Sequence, residues 1–224
     1  MRNVPVIASV LLAIGMSCQA TAQDSASSTQ AMSAPTITLA PTCELHIFPT
    51  LEGQAQTTGW LAGFGVVGAI ADAAAHKDGN ISNAEYLKSS LGPENQVIAL
   101  KTIDVPAALK LPAGTRVIYE TPIADRGITT KAKTRLTSSI APCYAELLVT
   151  QNFYIKRAIY GRSLNNRFIF KDFRNGKSAT ELNKGRGGNK LSQFPPESVA
   201  ERPAADADLR SAFSKNFLEY ARSN

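Results

Sequence analysis

The sequence has little of what most catalytic sites require. It holds two histidines, His46 and His76, and contains no G-x-S-x-G, no H-E-x-x-H and no paired C-x-x-C motif. The commonest signatures of serine hydrolases and zinc sites are therefore missing. His46 falls in a strand-like segment, where a partly buried structural histidine is the usual case. We predict no catalytic residue and no cofactor. Carboxylate pairs of glycosidases have no sequence signature, and the available acids are Glu120, Asp125 and Glu146.

Long apolar runs are also scarce. Residues 4–16 are apolar and uncharged, but this run is shorter than the roughly 20 residues that span a bilayer. Arg2 precedes the run and A-T-A follows it, which predicts a signal peptide over residues 1–22, cleaved between Ala22 and Gln23. The alternative is lipidation of Cys18, although only Ser17 fits the pattern that precedes a lipidated cysteine. We predict a periplasmic or secreted protein, with an outer-membrane lipoprotein as the alternative.

Charge is nearly absent from the segment that follows. Residues 23–42 consist mostly of Ser, Ala, Thr, Gln and Pro with one acidic residue, a composition that cannot bury enough apolar surface to order itself. We interpret residues 23–42 as a flexible tether and residues 43–224 as a single folded domain, which is long enough for a substantial core.

Only three cysteines are present. Export removes or modifies Cys18, which leaves Cys43 and Cys143, and an oxidising compartment favours a bond between them. Each of the two cysteines opens a strand-like run, so two neighbouring strands that begin side by side would bring them together. A disulfide closing a loop of about 100 residues contributes at most roughly 4–5 kcal/mol by loop entropy.

Basic residues are abundant in the middle of the chain. Residues 101–190 contain 17 Lys/Arg against 6 Asp/Glu, whereas the whole chain has a net charge of +6. Outside the cytoplasm, the expected counterparts are anionic lipid, acidic polysaccharide or peptidoglycan carboxylates, and not nucleic acid. The alternative is a solvated basic surface. The residues that we predict to contact an anionic partner are Lys156, Arg157, Arg162, Arg167, Lys171 and Arg174.

The pattern of apolar residues predicts an α+β domain. Strands are predicted at 43–48, 115–120, 144–150, 153–160, 167–173 and about 177–182, the last two joined by an Asn-Gly hairpin turn. Helices are predicted from Ser82, at 94–103, 105–111 and 127–140, and from Asp206 or Asp208 onward. The last helix would bury Leu209, Phe213, Phe217 and Tyr220. The expected sheet is mixed, with one parallel crossover, an antiparallel meander and packed helices.

One segment resembles a calcium-binding loop. In H-K-D-G-N-I-S-N-A-E, residues 76–85, the ligand positions of an EF-hand are matched by Asp78, Asn80, Ser82 and Glu85. Two further ligand positions hold Ala74 and His76, which offer no hard oxygen. An Asp-Gly turn followed by a Ser82/Glu85 capping box explains the same residues, so we predict no metal site.

Two segments of the chain are rich in glycine. Residues 58–75 are apolar with small residues four apart, a pattern of a close-packed core helix, an oligomer contact or a peripheral membrane contact. Residues 184–189, K-G-R-G-G-N, are predicted to form a loop with modest anion-binding potential.

The run C-Y-A-E-L-L-V, the meander after it and F-I-F-K-D-F-R-N-G-K resemble a group of bacterial envelope proteins. These are the curli-secretion and penicillin-binding-protein-activator lipoproteins with a TolB-N-like α/β domain, in which a late strand similarly ends in an Asp-x-x-x-Gly turn. The resemblance implies an envelope assembly or accessory protein that works through protein contacts, and it supplies no catalytic residue.

The function expected from these observations is a non-enzymatic, exported accessory or binding protein of the cell envelope. Its partner would be an envelope protein or an anionic envelope polymer or lipid. The alternative is an extracytoplasmic enzyme that acts on cell-wall or extracellular polymer through a carboxylate near Glu146.

Overall fold

The structure, a computed structural model, describes residues 43–51, 53–58, 80–157, 159–174, 176, 178–179 and 181–223. All of these residues belong to one unit of the chain, Leu39–Asn224. The predicted signal peptide with its Ala22–Gln23 cleavage site, Cys18 and the tether lie outside the described residues and stay predictions. Of segment 58–75, only Thr58 is described.

Six strands are described. They are β1 (Glu44–Phe48), β2 (Gly53–Thr58), β3 (Arg116–Tyr119), β4 (Tyr144–Arg157), β5 (Gly161–Asp172) and β6 (Glu181–Leu191). They form one sheet in the order β3-β1-β4-β5-β6, with β2 also paired to β4. Strands β1, β2 and β3 run parallel to their neighbours, whereas β4, β5 and β6 are antiparallel. The predicted α+β fold with a mixed sheet is confirmed.

Five α-helices are described. They are α1 (Asn80–Ser90), α2 (Pro93–Lys101), α3 (Val105–Ala108), α4 (Arg126–Lys131) and α5 (Arg202–Arg222). Proline at the first turn favours the start of α2. The Asp104 carboxylate accepts a hydrogen bond from the Ala107 amide and caps α3. No helix among the described residues combines the length and apolar character needed to cross a bilayer.

The parallel part of the sheet has more crossovers than the sequence predicted. Strand β1 lies between β3 and β4, so the chain crosses over once from β1 to β3 and again from β3 to β4. Strand β2 was not predicted. It continues along the same edge of β4 as β1, because Phe48 pairs with Leu148 and Gly53 pairs with Asn152.

A disulfide joins the starts of β1 and β4, as the sequence predicted. The Sγ atoms of Cys43 and Cys143 are bonded, and the two Cα atoms lie 4.5 Å apart. The next residues, Glu44 and Tyr144, are direct partners in the parallel pair. The two cysteines are therefore brought together by strand register.

Helix α5 closes the main core. Its predicted apolar face is buried, and the Phe168 ring of β5 contacts the rings of Phe213, Phe217 and Tyr220 at centroid distances of 5.8, 5.6 and 5.2 Å. The helix begins at Arg202, before the predicted caps. Asp206 instead accepts a hydrogen bond from the Tyr86 hydroxyl, which ties α5 to α1.

Three further predicted segment boundaries were wrong. Residues 127–140 are not one helix, because α4 ends at Lys131 and Ala132 adopts extended backbone. Residues 144–157 form one strand and not two. Strands β5 and β6 are joined by residues 173–180 and not by a two-residue Asn-Gly turn.

Helix α1 overlaps the segment that resembles a calcium-binding loop, residues 76–85. It begins at Asn80 and not at Ser82, so Asn80, Ser82 and Glu85 all lie within it. Asp78 lies outside the described residues. Within the described ranges, no group of three or more His, Cys, Asp or Glu residues could hold a metal ion.

Candidate functional site

The sheet has two faces of different character. Phe168 and Phe170 of β5 belong to the core under α5. Because successive side chains of a strand point to opposite faces, Arg167 and Ile169 turn away from α5. We call the surface under α5 the helix face and the opposite surface the far face.

One end of the far face is covered by the chain between β3 and β4. Ile123 and Leu136 from that connection pack on Phe48, Leu148 and Ile169 of the sheet. This small second core ends at Ile169, and the far face beyond it is half-buried or exposed.

The glycines of K-G-R-G-G-N explain why this segment is a strand and not the predicted loop. A Cβ atom added to Gly185 would lie 2.6 Å from the Tyr220 ring, and one added to Gly187 would lie 2.3 Å from the Asn216 carbonyl oxygen. Both glycines face α5, so their lack of a side chain lets the helix approach β6 closely. Lys184 and Arg186, which alternate with these glycines, therefore turn to the far face.

Five exposed cations share the uncovered part of the far face. Strand alternation places them there on three adjacent strands, and we call this surface the basic face: Arg157, Arg167, Lys184, Arg186 and Lys190. None of the five forms an ion pair with a described residue. The strand-like alternation of 184, 186 and 190 is the sequence signal that the loop interpretation missed.

Only two of the six predicted contact residues, Arg157 and Arg167, belong to this surface. Lys156 and Arg162 are direct partners in the β4–β5 pair and have the opposite orientation. The Arg162 guanidinium donates to the carbonyls of Ser192 and Pro195 on the helix face. Strand alternation thus turns neighbours in sequence to opposite faces of the sheet.

Arg174 lies outside the strands and is engaged within its own turn. Its guanidinium donates to the Asp172 carboxylate from Nε and Nη2, at 2.8 and 2.6 Å. The Arg174 amide also donates to the same carboxylate. This bidentate pair neutralises the charge of Arg174 locally.

The prediction that Lys171 contacts an anionic partner was wrong, because its side chain is completely buried and presents no charge at the surface. Its Nζ lies 3.8 Å from Glu146 Oε2, and the Glu146 side chain is likewise fully buried. Neither of these two atoms has a hydrogen bond among the described residues. Burial raises the pKa of Glu146 and lowers the pKa of Lys171. The other Glu146 oxygen accepts hydrogen bonds from the Tyr144 hydroxyl and the Leu136 amide.

The basic face contains two adjoining concavities. One, of about 320 Å³, is lined by Thr130, Thr150 and three cations, together with Phe168, Ile169 and Gly185; the three cations are Arg167, Lys184 and Arg186. The other, of about 270 Å³, is lined by Gln151, Phe153, Ile155, Arg157, Asn165, Asn166, Arg167, Arg186 and Gly187. Arg167 and Arg186 border both, and no carboxylate of the described residues lines either one.

Arg167 and Arg186 are direct partners across the β5–β6 pair. Like charges directly opposite in an antiparallel pair destabilise it, and here no described carboxylate offsets the repulsion. An anionic group placed between the two guanidiniums would accept charge-assisted hydrogen bonds from both. The arrangement is therefore suited to binding an anion.

A separate polar network lies under the covered end of the far face. His46 is buried in β1, and its Nδ1 lies 2.7 Å from a Glu120 oxygen while its Nε2 lies 3.1 Å from a Glu44 oxygen. The imidazole also contacts the Tyr144 ring at 4.7 Å. His46 occupies a structural position, as the sequence predicted, although it is more buried than expected, and it links β1 to the residue after β3.

Glu44 is the charged centre of this network. Its carboxylate accepts hydrogen bonds from the Ser139 hydroxyl at 2.6 Å, from His46 and from the Arg116 guanidinium. These contacts, with Ser139 as the largest cause, lower the pKa of Glu44 to about 2. Glu44 stays ionised and fixes the segment around Ser139 against β1.

The acids considered for an enzymatic role occupy structural positions. Glu146 has no exposed surface in this structure, so a polymer cannot reach it. Asp125 caps α4 through the Gly127 amide at 2.6 Å. Glu120 borders a groove of about 540 Å³ lined mainly by Pro49, Pro93, Val97, Ile98, Tyr119 and Pro122, and it is bonded to His46.

Comparisons with known proteins add little. No family model and no curated protein matches the chain. Two solved structures are similar at low level: an uncharacterized protein, 12% identical over 81% of this chain and 98% of that one, with a TM-score of 0.28; and the hypothetical protein CT253 from Chlamydia trachomatis, 10% identical over 82% of this chain and 100% of that one, with a TM-score of 0.30.

Proposed function

We propose that this chain is an exported, non-enzymatic binding protein of the cell envelope, and that its basic face binds an acidic envelope polymer. The observation that carries the proposal is the pair Arg167 and Arg186, directly opposed between two concavities that no carboxylate of the described chain lines. Each guanidinium offers planar, bidentate recognition of a carboxylate or phosphate group. A binding role needs these cations unpaired, as they are among the described residues.

The proposed location follows from chemistry that suits an oxidising compartment. The disulfide between Cys43 and Cys143 is compatible with a periplasmic or secreted protein. The resemblance of the C-Y-A-E-L-L-V strand and the meander to envelope accessory lipoproteins supports the same compartment. In that compartment the common polyanions are acidic polysaccharides and peptidoglycan, which present carboxylates at repeated intervals.

The experiment is a binding titration with polygalacturonate, a polymer of uronic acids, with neutral dextran as the control polymer. We expect binding to polygalacturonate that weakens steeply as salt rises, and no binding to dextran. The double variant R167Q/R186Q should bind at least about tenfold more weakly, because it removes two charge-assisted hydrogen-bond donors. Its dependence on salt should also be shallower, since fewer counterions are released.

The matched control is K88Q/K215Q, which removes the same charge from two exposed residues of α1 and α5. It should bind like the wild type. Equal weakening by both double variants would show that only net charge matters, and it would overturn the proposal. Binding by the wild type that is indifferent to salt would overturn it as well.

A further inference from the structure

The hairpin between β4 and β5 carries two adjacent, highly exposed apolar side chains. Ile159 is 89% exposed and Tyr160 is 72% exposed. The last register pair is Arg157 with Gly161, so Ile159 and Tyr160 lie in the connection between the strands. Gly161 has φ of +73°, a left-handed geometry that favours glycine in tight hairpin connections. This turn holds Ile159 and Tyr160 at the end of two long strands.

Nothing among the described residues packs on this tip. Neither residue belongs to a hydrophobic cluster of the fold. A single exposed apolar residue is ordinary on a protein surface, and Ile140 and Val199 are examples here. Two large ones in succession at the tip of a hairpin form a contiguous patch, which marks a contact site.

Cations surround the tip on both sides of the hairpin. Lys156 and Arg162 are partners on one side, and Arg157 lies on the other. Lys156 and Arg157 are exposed. No acidic residue occurs in the sequence between Glu146 and Asp172. The tip therefore combines an apolar end with a positive collar, and the hairpin's own sequence contributes no acidic residue.

This combination matches the surface of an anionic bilayer. Such a surface offers phosphate groups at the depth of the collar and hydrocarbon just below. Tyrosine favours this interface because its ring is apolar and its hydroxyl is polar. Isoleucine gains by leaving water for the acyl boundary, and cations near the surface add attraction to anionic lipid.

We propose that the β4–β5 hairpin inserts Ile159 and Tyr160 into the headgroup region of an anionic membrane. The exposed side chain of Arg157 contacts lipid phosphate beside them. This contact goes beyond the binding of a polymer by the basic face and rests on a separate observation. Membrane contact at the tip leaves the other four cations of the basic face, on the broad side of the sheet, free to contact polymer near the membrane.

The test is co-sedimentation of the purified exported protein with vesicles of phosphatidylcholine alone or mixed with phosphatidylglycerol. We expect binding to the mixed vesicles only. The variant I159S/Y160S should bind these vesicles at least about tenfold more weakly, because two apolar side chains no longer leave water. The control I140S/V199S, which removes two exposed apolar residues elsewhere, should bind like the wild type.

Two further measurements separate this proposal from the alternatives. The variant Y160W should show a blue shift of tryptophan emission with mixed vesicles, relative to the wild type. I159S/Y160S should keep the wild-type affinity for polygalacturonate, so failure of one proposal is distinguishable from failure of the other. Unchanged vesicle binding by I159S/Y160S overturns membrane insertion. So does a change in oligomeric state without a change in vesicle binding, because the tip would then contact a second copy.

Discussion

Arg167 and Arg186 lie directly opposite each other on β5 and β6, and no carboxylate of the described residues is paired with either. The opposed pair lowers the stability of the sheet while the surface is empty. A bound anion removes that cost, because both guanidiniums then gain a partner. Stability and binding therefore make opposite demands on this position.

The first prediction concerns the like-charge pair of Arg167 and Arg186. R186E should raise the free energy of unfolding by about 0.5–1 kcal/mol, because an opposed like-charge pair becomes an attractive one. The same change should abolish binding to polygalacturonate. Urea unfolding and the binding titration measure the two effects. R186Q is the control, with a smaller gain in stability; a loss of stability in R186E would contradict the account of the pair.

The second prediction concerns the close approach of α5 to β6. G187A should lower the free energy of unfolding by about 1–3 kcal/mol, because the new methyl group meets the backbone of Asn216, 2.3 Å away, and the helix must shift. G176A is the control, since nothing lies within 4 Å of a Cβ at Gly176. Thermal or urea unfolding of both variants is the measurement, and equal stability of the two would contradict the role of Gly187.

The third prediction concerns the buried ion pair. K171M should lower the free energy of unfolding by about 3–5 kcal/mol at neutral pH, because Glu146 is left buried without a cation. The double variant E146L/K171M should recover most of the loss, since no buried charge remains. A double variant as unstable as K171M would show that the loss comes from packing.

The loss in free energy of unfolding caused by K171M should depend on pH. Burial raises the pKa of Glu146 above its ordinary value of 4.5, so the folded state retains a proton that the unfolded state releases. Stability then falls as pH rises from the unfolded pKa to the folded pKa. Urea unfolding at about pH 4 and about pH 8 should show the larger deficit at the higher pH.

The fourth prediction concerns Glu44, whose pKa is lowered to about 2 mainly by Ser139. Its ionised form stabilises the fold above the ordinary pKa of 4.5, and that contribution is lost as pH falls toward about 2. S139A should raise the pKa of Glu44 and move acid unfolding to higher pH. Carboxyl NMR titration and an acid unfolding curve measure these effects. The neighbouring exposed Ser138 supplies the control S138A, which should change neither.

The sequence predicted those features that depend on local pattern. Four-residue spacing identified the buried face of α5, and export chemistry together with two strand-opening cysteines identified the disulfide. The fold class followed because β-branched runs and amphipathic stretches are local signals. Strand β2, with the sequence G-Q-A-Q-T-T, has no such run, and its pairing with β4 decides its structure.

The candidate site was predicted less well because it depends on contacts distant in sequence. Lys171 resembled the other cations of the meander, and only its pairing with Glu146, 25 positions earlier, accounts for its burial. The glycines of β6 indicated a loop, because a lone segment shows no reason to omit side chains in a strand. The reason is α5, which begins 11 residues after β6 ends.

The bond between Cys43 and Cys143 has a mechanical consequence. A pull on the chain ahead of Cys43 is transmitted by a covalent link to the start of β4, the strand that pairs with β1, β2 and β5. Strand β1 cannot be peeled from the sheet by such a pull, since the load bypasses its hydrogen bonds. A protein held at its N-terminal side would thus bear tension through its central strand.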